Sequence, residues 1–193
     1  MERGSGEGSM NVRIIAGKFG GRIIEGSGTN RTHPMSERVK GSLFNIIGDE
    51  VVGAKVLDAF AGSGALGLEA LSRGAAHVTF VEKDRIAQKI IDANMTTLSV
   101  GREDAKLVKA PVASWLSTGK GELYDVILVD PPYHDMQLST VAKISGLLKP
   151  NGLMVLSYQG KGEVPTELGV VVVDNRSYGN AALAFYRKKE ESA

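Results

Sequence analysis

Four consecutive residues, Asp130-Pro131-Pro132-Tyr133, carry the most chemistry in this chain. They follow the apolar run Val126-Ile127-Leu128-Val129, which reads as a buried strand. A carboxylate at the strand's end, two prolines and an aromatic ring make a rigid polar shelf beside a flat face. Methylation of an exocyclic amino group on a nucleobase needs such a shelf, because that nitrogen's lone pair is delocalised into the ring and attacks poorly. The Asp130 carboxylate, or a carbonyl fixed by the prolines, can accept the amine's hydrogen bonds and aim it at a methyl donor. Proline sets φ and donates no N–H, so the loop offers acceptors in a fixed geometry. Tyr133 is the candidate to stack on the base. A strand that merely ends in a turn would use the same residue types, so the tetrad alone leaves both readings open.

A second motif favours the chemical reading. Val56-Leu57-Asp58-Ala59-Phe60 runs into Ala61-Gly62-Ser63-Gly64-Ala65-Leu66-Gly67, where Gly62, Gly64 and Gly67 have the G-x-G-x-x-G spacing. Glycines at the first crossover of a doubly wound sheet let backbone approach a ligand closely. The spacing alone would also fit a dinucleotide. Asp58 and Glu82 argue for S-adenosylmethionine. Asp58 ends the strand before the glycines, where a carboxylate organises the pocket for a cationic amino acid half. Glu82 ends the next apolar run, His77–Val81, where an acid meets ribose hydroxyls. Phe60 either lines that pocket or packs into the core. Trp115 reads as packing rather than as a base platform.

The elements that must position these groups alternate. Strands are expected at Lys55–Ala59, His77–Val81, Ala105–Lys109, Asp125–Asp130 and Gly152–Ser157, the last after a Pro150-Asn151-Gly152 turn. Helices are expected at Ala65–Arg73, Asp84–Leu98, Val112–Ser117 and Gln137–Leu148. Val170–Asp174 and Ala181–Arg187 follow with no helix between and should form an antiparallel hairpin. This pattern implies a parallel sheet with strands one and four adjacent at the ligand edge. Its ending matches the α/β, Rossmann-like, seven-stranded class I S-adenosylmethionine-dependent methyltransferase fold better than a dehydrogenase. Upstream, Arg13–Ala16 and Arg22–Glu25 read as a small amino-terminal β-hairpin, and Ser36 as the cap of a helix through Ile47. The expected organisation is a glycine- and serine-rich disordered leader over 1–10, with Met10 the natural start, a hairpin and helix over 11–50, and a methyltransferase domain over 51–189.

The net charge is only +1, which excludes a polycation, but the charge is uneven. Between Asn11 and Ile47, six basic residues (Arg13, Lys18, Arg22, Arg31, Arg38, Lys40) face two acids, Glu25 and Glu37. Such a segment is either a solvated surface or a phosphate-contacting one; on a base methyltransferase the second reading is favoured, with RNA as the partner. The chain has no cysteine, and its 3 histidines lack ligand spacing, so no metal is expected. No apolar run approaches a membrane span and no secretory signal is visible, which makes the expected location cytoplasmic.

From about Arg13 to Lys188 the chain resembles the RsmD-type 16S ribosomal RNA guanine-N2 methyltransferases. The resemblance rests on the stretch Asp58 to Ala75, on Arg13-Ile14-Ile15-Ala16-Gly17 with Gly21-Arg22, and on Arg38-Val39-Lys40 with Leu43-Phe44-Asn45. It also rests on Val81-Glu82-Lys83-Asp84, the tetrad, and Tyr178-Gly179 with Ala184-Phe185-Tyr186-Arg187. It implies a 16S rRNA substrate, with Arg13, Arg22 and Arg38 gripping the RNA; the small, only locally basic chain is expected to act as a monomer on a small ribosomal subunit or its assembly intermediate. The chain departs from the family at His33-Pro34-Met35, where Arg-Pro-Thr is usual, and at Gly41, where an acid is common. Lys109-Ala110-Pro111-Val112 lacks the family's Asn or Asp near adenine, so the Val112 N–H becomes the candidate contact. Two other classes stay open: an adenine-N6 methyltransferase of DNA or RNA, which shares the tetrad, and a non-catalytic RNA-binding assembly protein. A nucleotide-dependent oxidoreductase has only fold analogy behind it.

Overall fold

The computed structural model describes residues 10–27, 35–119, 121–166 and 168–189. Residues 1–9 of the expected leader, Arg31 and the His33-Pro34 departure lie outside the described residues; Met10 is described, and its carbonyl accepts the Gly26 N–H at 2.6 Å. The order is β1 (Asn11–Arg13), β2 (Ile23–Glu25), α1 (Glu37–Ile47), a 3-10 turn (Gly48–Val51), β3 (Lys55–Ala59), α2 (Ala65–Ser72), β4 (His77–Glu82), α3 (Arg85–Thr97) and β5 (Ala105–Lys109). There follow α4 (Val112–Ser117), β6 (Tyr124–Val129), α5 (Leu138–Ser145), β7 (Leu148–Gln159), β8 (Val171–Ser177) and β9 (Ala181–Arg187).

Seven strands form one sheet in the order β5-β4-β3-β6-β7-β9-β8. The first five are parallel neighbours, whereas β9 runs antiparallel to both β7 and β8. β3 and β6 lie side by side, with Ala59 opposite Val129, so the glycine loop and the tetrad leave the sheet at adjacent points. That is the switch point at which open α/β sheets bind ligands. Apolar residues cover both faces. One face packs Leu43, Phe44 and Ile47 of α1 and Leu68 and Leu71 of α2 against the sheet; the other packs Val112 of α4 and Val141 and Ile144 of α5. Both faces of the central strands are therefore covered, which is why they read as continuous apolar runs. Among the described residues, no helix is long and apolar enough to cross a membrane.

Three departures from the expected elements have local causes. The first strand lies earlier than expected, at Asn11–Arg13, and the Ile15 and Ala16 N–H groups donate to the Glu69 carboxylate, at 2.9 and 3.3 Å, instead of to a strand. Pro150-Asn151-Gly152 is not a turn before β7 but an irregularity within it. Leu148 already pairs with Tyr124, Asn151 adopts φ 62°, and the register shifts before Leu153 resumes. Helix α5 begins at Leu138 because Gln137 is left-handed at φ 49°.

Candidate active site

Asp58 is the last but one residue of β3 and is buried at 1% exposure. Its Oδ2 accepts the Gly67 N–H at 2.9 Å, so a strand carboxylate satisfies a donor in the first turn of α2. Burial pushes the Asp58 pKa well up; the Gly67 bond opposes the shift, and the neighbouring Asp130 and Glu82 charges add to it. Three carboxylates therefore converge where the glycine loop meets the tetrad. A cation placed among them would relieve their repulsion.

Glu82 closes β4, and its carboxylate is fixed from two sides. Oε2 accepts the Gly62 N–H at 2.7 Å, and Oε1 accepts the Asp84 N–H at 2.8 Å. Each oxygen keeps a lone pair for a hydroxyl. Gly62 and Gly64 adopt φ 57° and 81°, conformations suited to glycine. A Cβ on Gly62 would meet nothing within 4 Å, so the loop leaves open space there, whereas one on Gly67 would lie 2.3 Å from the Phe80 ring. Phe60 is half-buried at φ 59°, opens the glycine loop and packs against the α4–α5 side of the core. Val112 opens α4 just beyond β5, whose Lys109 pairs with Glu82; Val112 itself is buried.

Asp130 follows β6 directly. Burial raises its pKa to about 6, with the Ser157 hydroxyl opposing the shift. Ser157 also lies 2.8 Å from the Tyr133 hydroxyl, which fixes the ring at the shelf while 39% of the residue stays exposed. Pro132 O accepts the Asp135 N–H at 2.9 Å and closes the turn. Pro131 is buried and Pro132 half-buried. The arrangement is a desolvated carboxyl under an accessible aromatic face, one strand from the glycine loop.

The basic residues of the amino-terminal segment divide. Arg13 is exposed, 3.6 Å from Glu37. Lys18 is exposed, with Nζ 4.9 Å from the Phe19 ring centroid. Arg22 is exposed and donates to Thr97 O at 2.8 Å, and Arg38 is exposed on α1. Lys40 is a correction to the sequence reading. It is 1% exposed, its Nζ donates to Arg13 O at 2.7 Å, and burial lowers its pKa while Glu69 and Glu37 pull it back up. Position 40 falls on the apolar face of α1 between Val39 and Leu43, so periodicity places it inward; charge counting ignored that.

Sequence reasoning also missed the polar residues that set the site's frame. Asn94 is buried at 2% and joins three segments. Its Nδ2 donates to Glu25 O and to Ser63 O of the glycine loop, both at 2.9 Å, and its Oδ1 accepts the Glu25 N–H at 2.9 Å. Ser72 Oγ donates to Ala16 O at 2.5 Å and accepts the Phe19 N–H at 2.9 Å. The available signal was a polar residue on an apolar helix face, at Asn94 in α3 and at Glu69 and Ser72 in α2.

Known proteins share this frame. The family described as conserved hypothetical protein 95 matches residues 12–187. The chain belongs to that family. Ribosomal RNA small subunit methyltransferase D of Escherichia coli is 35% identical over 169 residues, covering 86% of this chain and 84% of that one. The protein of the same name from Haemophilus influenzae is 31% identical, covering 91% and 93%. A solved structure described as a candidate methyltransferase, yhhF, from Escherichia coli superposes with a TM-score of 0.83 at 32% identity, covering 94% of this chain and all of that one. The fold is that of the S-adenosylmethionine-dependent methyltransferases, and S-adenosylmethionine is the cofactor it takes. The residues present fit that group: open glycine backbone, a fixed carboxylate at Glu82 and an uncompensated buried one at Asp58.

Proposed function

We propose that this family member methylates the exocyclic N2 amine of a guanine in 16S ribosomal RNA, within a small ribosomal subunit or its assembly intermediate. The observation that carries the reading is the Asp130 carboxyl, desolvated beside the Ser157-anchored Tyr133 and one strand from the glycine loop. The names of the relatives support an rRNA substrate. Gly62 and Gly64 receive the cofactor's amino acid half, with Asp58 compensating its cationic charge; Glu82 holds the ribose, and the Val112 N–H meets the adenine. The bound cofactor supplies an electrophilic methyl carbon on a sulfonium.

The target base leaves its stack and lies on Tyr133. Asp130 accepts a hydrogen bond from the amine and turns the lone pair toward the methyl. Asp130 would hold the amine in line with the methyl that the bound cofactor would supply, and would take the proton that the nitrogen loses after attack and pass it to solvent. Asp130 need not be a strong base, so most of the protein's contribution is alignment. Arg13, Lys18, Arg22 and Arg38 supply phosphate contacts. The test is transfer of labelled methyl to small subunits from cells lacking this protein, with free RNA and DNA alongside, followed by nucleoside analysis. N2-methylguanosine in 16S rRNA supports the reading. Methyladenine would keep the mechanism and overturn the substrate, and no incorporation at all would overturn both.

A further inference from the structure

A cleft of about 520 Å³ opens between α1 and β8, lined by Ile15, Arg38, Gly41, Asn45, Ile46 and Arg176 among others. It is shallow and open to solvent, a shape that suits part of an extended ligand rather than an enclosed small molecule. Of this lining, the mechanism above uses only Arg38, as a phosphate contact. We infer that this cleft is a second RNA subsite, holding the ribose-phosphate of an unpaired nucleotide next to the methylated one; the inference rests on the rRNA reading.

The first argument is position. Arg176 of β8 pairs with Leu183 of β9, and Leu183 pairs with Ser157 of β7. Ser157 is the residue that anchors Tyr133. Arg176 and Ser157 therefore occupy one row of the sheet, two strands apart, or about 10 Å. The Ser42 and Tyr178 hydroxyls share a hydrogen bond that ties α1 to the end of β8 and fixes the cleft's two walls.

The second argument is Gly41. Glycine inside a helix is disfavoured relative to alanine. A Cβ here would meet only Ile15 Cδ1, at 3.6 Å, an ordinary contact. The protein's own packing does not require glycine at this position. What glycine does is leave bare helix backbone facing the cleft, where a ligand can approach closely.

The third argument is chemistry. Arg38 and Arg176 stand on opposite walls, and forked guanidinium groups suit phosphate oxygens. Asp174 engages Arg176 through Nε, at 3.1 and 3.2 Å, which leaves the terminal nitrogens for a ligand. Glu37 also lines the cleft, and its Oε1 lies 3.6 Å from Arg13 Nε, so its charge is shared with a cation outside the cleft. The Asn45 amide suits a 2′-hydroxyl or base edge, and Ile15 and Ile46 a sugar face.

The test is steady-state methylation of small subunits by the full chain, with RNA binding measured across salt concentrations. Arg176→Ala should raise KM for the subunit and lower the slope of log affinity against log salt by about 1, while kcat and cofactor affinity stay at wild-type values. Gly41→Ala should raise the melting temperature by about 2–4 °C and still weaken RNA binding, an opposition that misfolding cannot produce. Wild-type KM and salt slope in both variants would overturn the inference. Failure of the wild type to methylate rRNA would overturn the reading beneath it, and it shows before any variant is compared.

Discussion

The glycine loop and the amino-terminal hairpin flank α2, and both are held by carboxylates that accept backbone N–H bonds. Their electrostatics differ. Glu69, fully buried, accepts from Ile15 and Ala16 and also binds Arg73 through Nε and Nη2, both at 3.0 Å. Its charge is matched inside the protein. Asp58 accepts one backbone bond, from Gly67, and its nearest charged neighbours, Asp130 and Glu82, are acidic. The same bonding pattern serves as a brace in one region and leaves an unbalanced acid in the other, beside the proposed ligand site. Among the described residues, the two buried acids differ in having or lacking a cationic partner, more than in burial or hydrogen bonding.

The largest expected effect tests the brace. Glu69→Ala removes the partner of Arg73 and the acceptor for two backbone donors, so unfolding in urea should show a loss of about 3–5 kcal/mol. A loss below about 1 kcal/mol would mean that the hairpin is held elsewhere. On the other side of the comparison, Asp130→Ala should lower methyl transfer by about 10²–10³-fold and leave cofactor binding intact. Retained transfer would remove Asp130 from its assigned role.

The junction between the regions comes next. Asn94→Ala strands the Glu25 and Ser63 backbone groups, so it should cost about 1–3 kcal/mol. Cofactor titration and RNA binding should both weaken, because one side chain supports both. Loss of only one affinity would show that the regions are independent.

Acidity gives a smaller, signed effect. Asp130 titrates at about 6 in the folded protein, above its ordinary value of about 4. The folded state therefore binds more protons between those values, and stability falls as pH rises through the window. Discounted for the solvent that still reaches the residue, the loss is about 1–2 kcal/mol. Asp130→Asn should flatten that slope in denaturation curves taken from pH 4 to 7. The rate of methyl transfer should move oppositely, rising with pH through about 6 as the acceptor ionises. The smallest effect belongs to Lys40→Met, which should leave RNA affinity within about twofold of wild type, because a buried lysine meets no phosphate. A larger fall would return Lys40 to the interface.

The parallel sheet was legible because Val126–Val129 is an unbroken apolar run followed by an acid and Val56-Leu57-Asp58-Ala59 is apolar but for its one carboxylate, a pattern set by burial on both faces. The placing of the candidate residues was legible: Asp58, Glu82 and Asp130 fall at strand ends and Gly62 and Gly64 in the turn after β3, where the pattern is local. The hairpin's attachment was not legible. Glu69 reaches Ile15 across 54 positions and Asn94 reaches Glu25 across 69, and no local pattern encodes contacts of that range. Lys40 was misread for a related reason: its acceptor, Arg13 O, is a backbone atom 27 positions away, which a charge count cannot see.

The central claim is that the shelf performs the chemistry and the hairpin holds the RNA. Side-by-side kinetics of Asp130→Ala and of the double charge reversal Arg13→Glu/Arg22→Glu, on the same small subunits, test it most directly. The account predicts that kcat falls in the first with KM for the subunit unchanged. In the second, KM rises and its salt dependence weakens, with kcat at saturation unchanged. A fall in kcat from the hairpin variant with KM unmoved, or wild-type turnover by Asp130→Ala, would contradict that division.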